Sequence, residues 1–140
     1  MTEKPQRLMV RVYYEDTDFS GAVQHVAYLR FFERGRTEFL RAHGINQSVL
    51  FAASALVFVV RKMSLDYLKP ARMDDALLVE TAIAKIGGAS IEMAQKILRG
   101  EEVLVEAHVR IAAVGGGRAQ RLPHVVRAKL GHAGPDDDGL

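Results

Sequence analysis

Apolar and polar positions alternate with a period of two over Leu8 to Tyr14. Leu8, Val10, Val12 and Tyr14 share one face, with Arg11 and Glu15 on the other, the spacing of a half-buried strand. From Val26 to Ala42 the period lengthens. Tyr28, Leu29, Phe32, Phe39 and Leu40 recur at helical intervals, while Arg30, Arg34, Thr37, Glu38 and Arg41 fill the opposite side. Gly35 falls beside the apolar stripe, where a missing side chain lets a helix approach a sheet closely, at a cost of about 1 kcal/mol in helix propensity. His43-Gly44 predicts a C-cap, and Asn46 predicts the cap of a second, short helix running through Ala52. Strand patterns follow. Ala55 to Leu68 reads as one long strand with Val57, Val59, Met63 and Leu65 on one face, broken at Lys69-Pro70-Ala71. After a turn at Arg72 to Asp75 come Leu77 to Ile86, a Gly87-Gly88 turn, and Ser90 to Arg99. A turn at Gly100 leads to the clearest alternation in the chain, Val103, Val105, Ala107, Val109 and Ile111 against Glu106, His108 and Arg110. Gly115-Gly116-Gly117 ends it, and Leu122-Pro123 opens a short terminal helix through Lys129.

The order is strand, long helix, short helix, then four strands with tight turns, an α+β arrangement. One long helix covers only one face of a five-stranded antiparallel sheet, and open edges invite pairing. The expected architecture is a curved sheet wrapped around the helix, the hotdog fold, with the remaining surface met by an identical subunit.

With 140 residues the chain is read as one domain, residues 1–130, followed by an acidic, disordered tail, 131–140. The net charge of +2 includes Asp136, Asp137 and Asp138 of that tail, so the rest of the chain carries +5. A mildly basic body suits an anionic, phosphorylated ligand. Without basic clusters interleaved with aromatics it excludes a nucleic-acid partner. The absence of cysteine excludes disulfides and thiol nucleophiles. Met1 to Arg7 is polar, without the apolar run of a signal peptide, and no stretch approaches the roughly 18 apolar residues of a spanning helix. A cytoplasmic protein without membrane insertion is expected.

Chemistry concentrates at the first strand-to-helix junction, Tyr13 to His25, where Glu15, Asp16, Asp18, Gly21 and His25 lie together. A helix N-terminus presents unpaired N–H groups and partial positive charge, which polarise a carbonyl or hold an oxyanion. An aspartate just before it sets a base or nucleophile beside that electrophile activator, an arrangement suited to hydrolysis of an activated acyl group. On composition alone, Asp18 is more often a turn or capping residue. Asp16 and Glu15 read as turn charges whose repulsion would raise the Asp18 pKa.

The segment Val10-Arg11-Val12-Tyr13-Tyr14-Glu15-Asp16-Thr17-Asp18, with Gly21, Val23, His25 and Tyr28, closely resembles the 4-hydroxybenzoyl-CoA thioesterase family, and within it the Tol–Pal-associated acyl-CoA thioesterase branch. Phe32 to Arg41, Phe58 to Met63 and Pro70 to Asp75 continue the likeness, which runs from about residue 8 to 127. The resemblance implies an acyl-CoA thioesterase with Asp18 as nucleophile or general base and the N–H at His25 polarising the thioester. Coenzyme A is then part of the substrate, and no separate cofactor is needed. Acyl carrier protein is a second candidate carrier, and a homotetramer built as a dimer of dimers is the implied assembly. A non-catalytic acyl-binding adaptor of the Tol–Pal machinery is the alternative. Two departures from the branch, Gln24 for its usual tyrosine and Phe19-Ser20 for a smaller Ala/Gly pair, are expected to reshape the acyl pocket.

The remaining candidates for substrate binding are Gly21, Tyr28, Arg61, Lys62 and Ser90. Tyr28 reads as core that touches an acyl chain. Arg61 and Lys62 alternate faces of one strand, as phosphate contacts or as a solvated face. Gly87 to Ser90 is a hairpin turn whose N–H groups and hydroxyl suit phosphate or pantetheine. His43, His108, His124 and His132 show no metal-ligand spacing, and no metal is assigned.

Overall fold

The computed structural model describes residues 5–131, so the acidic tail beyond Gly131 lies outside the described residues. The elements are β1 (Gln6–Arg11), α1 (His25–Ala42), α2 (Gln47–Ser54), β2 (Val57–Tyr67), β3 (Ala76–Ile86), β4 (Ser90–Arg99), β5 (Glu102–Gly115), β6 (Arg118–Ala119) and α3 (His124–Leu130), with a 3-10 turn at Tyr14–Asp16. The antiparallel sheet runs β1-β3-β4-β5-β2, and β6 pairs with the end of β5. It curls into a half-barrel around α1, the hotdog arrangement. The predicted order holds. The two-residue β6 is additional, too short to leave a periodic signal.

The sheet's inner face and α1 make the core. Tyr28, Phe31, Phe32, Phe39 and Leu40 of α1 are buried, and each such side chain contributes about 1.5–3 kcal/mol on burial. They meet Leu77 and Val79 of β3, Ile91 and Met93 of β4, and Val105 and Val109 of β5 in one cluster. Gly35 sets how closely helix and sheet approach. A Cβ there would lie 2.7 Å from Val79 Cγ1, 3.0 Å from Thr81 Oγ1 and 3.2 Å from Gln95 Nε2. At this contact buried Gln95 donates to Phe32 O at 3.0 Å and Thr81 Oγ1 at 2.9 Å, and accepts from Arg36 Nη1 at 3.0 Å. Arg36 is buried between α1 and β4, where burial lowers its guanidinium pKa.

Three details of the pattern change. Tyr14, expected to continue the inward face of β1, is exposed because the chain leaves the sheet after Val12 and enters the 3-10 turn. Leu29 lies half-exposed, while Phe31 is buried in its place. The long strand β2 pairs with β5 only, leaving its other edge open, and Val57, Val59 and Val60 are exposed along it. The β2–β5 register skips Arg61 at a bulge, an extra residue that locally bends and twists the strand.

Candidate active site

Local hydrogen bonds fix the junction before it reaches α1. Asp16 is buried; its Oδ2 accepts from the Tyr13 N–H at 2.8 Å, its Oδ1 lies 3.5 Å from Arg30, and its carbonyl accepts from the Gln24 N–H at 2.8 Å. Asp16 therefore braces the turn. Beyond it, Thr17 bridges Val23, and Ala22 bridges Arg72, so residues 17–23 form a narrow loop against the β2–β3 connection. Gly21 has φ +85°, a conformation that costs other residues about 1–2 kcal/mol, and its N–H donates to Asp18 O at 2.9 Å.

Helix α1 starts at His25, and neither the His25 nor the Val26 N–H has a hydrogen-bond partner among the described residues. His25 lies in the wall of a cavity of about 580 Å³ whose lining also includes Asp18, Gln24, Tyr28, Tyr67 and Lys69. The His25 ring stacks on Tyr67, centroids 4.1 Å apart and planes within 10°, which holds the imidazole at the cavity wall. Tyr28 lies tilted 5.6 Å from Tyr67, and its hydroxyl accepts from the Ala71 N–H at 2.9 Å. Burial pushes the Tyr28 phenol pKa up, so it is neutral at ordinary pH. Gln24 turns away to donate to Thr17 O at 2.7 Å.

The Asp18 carboxylate is exposed to the cavity. Its Oδ1 accepts from the Ser20 hydroxyl at 2.5 Å and the Ser20 N–H at 2.8 Å. These bonds, the hydroxyl first, hold its pKa below the usual aspartate value. The expectation that Asp16 and Glu15 would raise it by repulsion is therefore corrected: hydrogen bonding to the charged form sets the direction, and neither carboxylate is among the causes of the shift. Asp18 makes the Asx-turn contact of the structural reading, yet Oδ2 accepts no hydrogen bond from another residue among the described residues.

An anionic oxygen and a helix-start donor at one cavity can attack, or hydrate, a carbonyl while stabilising its oxyanion. Comparison with known proteins agrees with that chemistry. Residues 20–110 match the model of the thioesterase superfamily. The chain belongs to that superfamily. It is 42% identical to the acyl-CoA thioesterase YbgC of Haemophilus influenzae over 125 residues, 88% of this chain and 92% of that one. It is 47% identical to the acyl-CoA thioester hydrolase YbgC of Escherichia coli O6:H1 over 109 residues, 77% of this chain and 81% of that one. Among solved structures, one described as a probable thioesterase from Bartonella henselae superposes with a TM-score of 0.82 at 46% identity, covering 85% of this chain and 99% of that one.

Against this family background, the candidates divide into two groups. Asp18, Gly21, His25 and Tyr28 come together at the cavity or the loop bounding it. Arg61, Lys62 and Ser90 lie elsewhere. Lys62 stands on the sheet's outer face with Ser64, Glu92, His108 and Arg110. Ser90 shares a register row with Ala112 and Val59, and Val59 is eight residues before Tyr67, about 26 Å along a strand. The Gly87–Gly88 turn is clamped from behind: Gly87 O accepts from Arg127 Nη2 at 2.6 Å, and Gly88 O from the Leu122 N–H at 2.9 Å. Its Gly87 N–H donates to Ser90 O at 2.8 Å, while the Ser90 hydroxyl forms no hydrogen bond among the described residues.

Tyr67 and Lys69 line the cavity without having been singled out for it, beside Gln24, the departure expected to reshape the acyl pocket. Lys69 is paired with Glu102 at the rim. Tyr67 had one usable signal, an aromatic at the terminus of a long strand just before a proline. No helix among the described residues is long and apolar enough to cross a membrane.

Proposed function

We propose that the protein hydrolyses acyl-CoA thioesters to free acid and coenzyme A, with Asp18 as nucleophile or general base. The carrying observation is that Asp18 shares one cavity with His25, whose N–H at the start of α1 has no partner among the described residues. A thioester carbonyl seated there would place its oxygen toward the His25 N–H and its carbon toward Oδ2. Each such donor typically lowers the barrier by about 3 kcal/mol. The leaving thiolate is stable enough that no strong acid is required. The acyl-CoA thioesterase names of the two curated relatives support the substrate class.

The test is thiol release measured across acyl lengths on three carriers: coenzyme A, bare pantetheine and acyl carrier protein. Turnover on coenzyme A thioesters is expected, with KM rising as salt screens the phosphates. Equal kinetics on coenzyme A and pantetheine would remove any nucleotide site, including the roles proposed for Arg61, Lys62 and Ser90. Binding without release would assign the protein instead as an acyl-binding adaptor of the envelope machinery.

Assembly belongs to the same reading. Those three residues are distant from Asp18 within one chain, and β2 exposes an open hydrogen-bonding edge with three valines. Antiparallel pairing of β2 with a second copy would carry that copy's Val59–Lys62 segment toward this chain's Tyr67, bringing coenzyme-binding groups to the site from the partner. Such dimers would associate further into tetramers in the cytoplasm. Sedimentation at micromolar concentration is expected to show a dimer or larger species. A folded, active monomer would overturn the shared site.

A further inference from the structure

We infer that Ser20 is a positioning residue for Asp18: its hydroxyl ties down Oδ1 and leaves Oδ2 as the oxygen that meets the thioester carbon or the attacking water. The inference rests on the reading of Asp18 as nucleophile or base and names the group that sets its geometry.

Three contacts carry it. Ser20 Oγ donates to Asp18 Oδ1 at 2.5 Å, the Ser20 N–H donates to the same oxygen at 2.8 Å, and Ser20 Oγ in turn accepts from the Ala22 N–H at 3.3 Å. The serine hydroxyl is therefore oriented, because its oxygen receives a proton from Ala22 and its own proton points at Oδ1. Both donors act on one carboxylate oxygen. The other accepts no hydrogen bond from another residue among the described residues and belongs to a side chain lining the cavity.

The loop around these groups is held independently. Asp18 N–H donates to Ala22 O at 3.1 Å, Gly21 N–H to Asp18 O at 2.9 Å and Val23 N–H to Ala71 O at 2.9 Å. Removing the hydroxyl thus leaves Oδ1 with the Ser20 N–H alone and loosens the carboxylate without dismantling the backbone that carries it. The clamp has two effects on the reaction. It restricts rotation of a side chain otherwise exposed to solvent, and it stabilises the charged form of Asp18, in agreement with the lowered pKa. A glycine or alanine at position 20 would supply the backbone donor alone.

The test pairs Ser20→Ala with the conservative Ser20→Thr. Two readouts are taken: the pH profile of kcat/KM, and the ¹³C titration of the Asp18 carboxyl, assigned by its disappearance in Asp18→Asn. In Ser20→Ala the Asp18 midpoint is expected to rise, and the acid limb of kcat/KM to rise with it. Below that midpoint the carboxylate is protonated and inactive, so the variant loses activity at a higher pH than the parent. At the plateau kcat is expected to fall about tenfold with KM little changed, the signature of a misplaced reacting group. Ser20→Thr should restore midpoint, limb and kcat.

An unchanged Asp18 midpoint in a folded Ser20→Ala protein overturns the clamp and leaves the reading of Asp18 standing. So does failure of a folded Ser20→Thr to restore it. A midpoint that moves while Asp18→Asn retains turnover overturns the reading of Asp18, and with it any catalytic meaning of the clamp.

Discussion

Replacing Asp18 with asparagine is expected to lower kcat by about 10²–10⁴-fold, the range typical of a lost acid–base group. KM and thermal stability should change little. The asparagine carbonyl can accept the two Ser20 bonds now made to Oδ1, so the loop keeps its shape, while the amide nitrogen replaces the unpartnered Oδ2 and cannot attack or accept a proton. Truncating His25 to alanine should cost less, because its backbone N–H survives loss of the ring. Near-parental turnover by folded Asp18→Asn would remove Asp18 from the chemistry. Rapid-quench trapping on the parent enzyme then divides the two roles. An acyl group on Asp18, or solvent ¹⁸O in its carboxylate, assigns direct attack; absence of both under single turnover assigns water activation.

The largest effect on stability is expected at Gly35. Adding one methyl there places carbon 2.7 Å from Val79 Cγ1, well inside contact distance, with Thr81 and Gln95 close behind. Val79 is fully buried and β-branched, so it has little rotameric freedom to yield. Overpacking of this kind costs about 1–3 kcal/mol, against which alanine's better helix propensity returns at most about 1 kcal/mol. Shifting α1 outward would also stretch the Gln95 bonds to Phe32 O and Arg36. Gly35→Ala should therefore unfold several degrees below the parent in a circular-dichroism melt. An equal or higher midpoint would show that helix and sheet separate there without penalty.

The elements were legible because most are amphipathic: α1 and β3 to β5 each bury one face, and the period survives in the sequence. The close approach at Gly35 was legible too, since a glycine beside an apolar helical stripe has few other uses. Other features left no local trace. Arg36 looks like any surface arginine until β4 supplies Gln95, and its burial depends on a residue 59 positions away. Tyr14 followed the alternation of β1 but belongs to a turn, because hydrogen bonds to Asp16 and not hydrophobic period decide where the strand stops. At the site, the Asp18-to-His25 segment carried its own signal. The opposite wall, Tyr67 to Pro70, did not, because only sheet closure brings it there.

That closure limits how far the motif can travel. Val23 donates to Ala71 O, and the Ala71 N–H donates to the Tyr28 hydroxyl, so the loop and the first turn of α1 both lean on a single residue more than forty positions downstream. Residues 13–28 transplanted into another scaffold would bring the aspartate and the helix start without the ledge that aligns them. During folding the reactive geometry must likewise wait for the β2–β3 connection to dock. The reactive geometry therefore exists only while that connection is docked, and a local loosening around Ala71 would dissolve it even with the sheet behind it still paired.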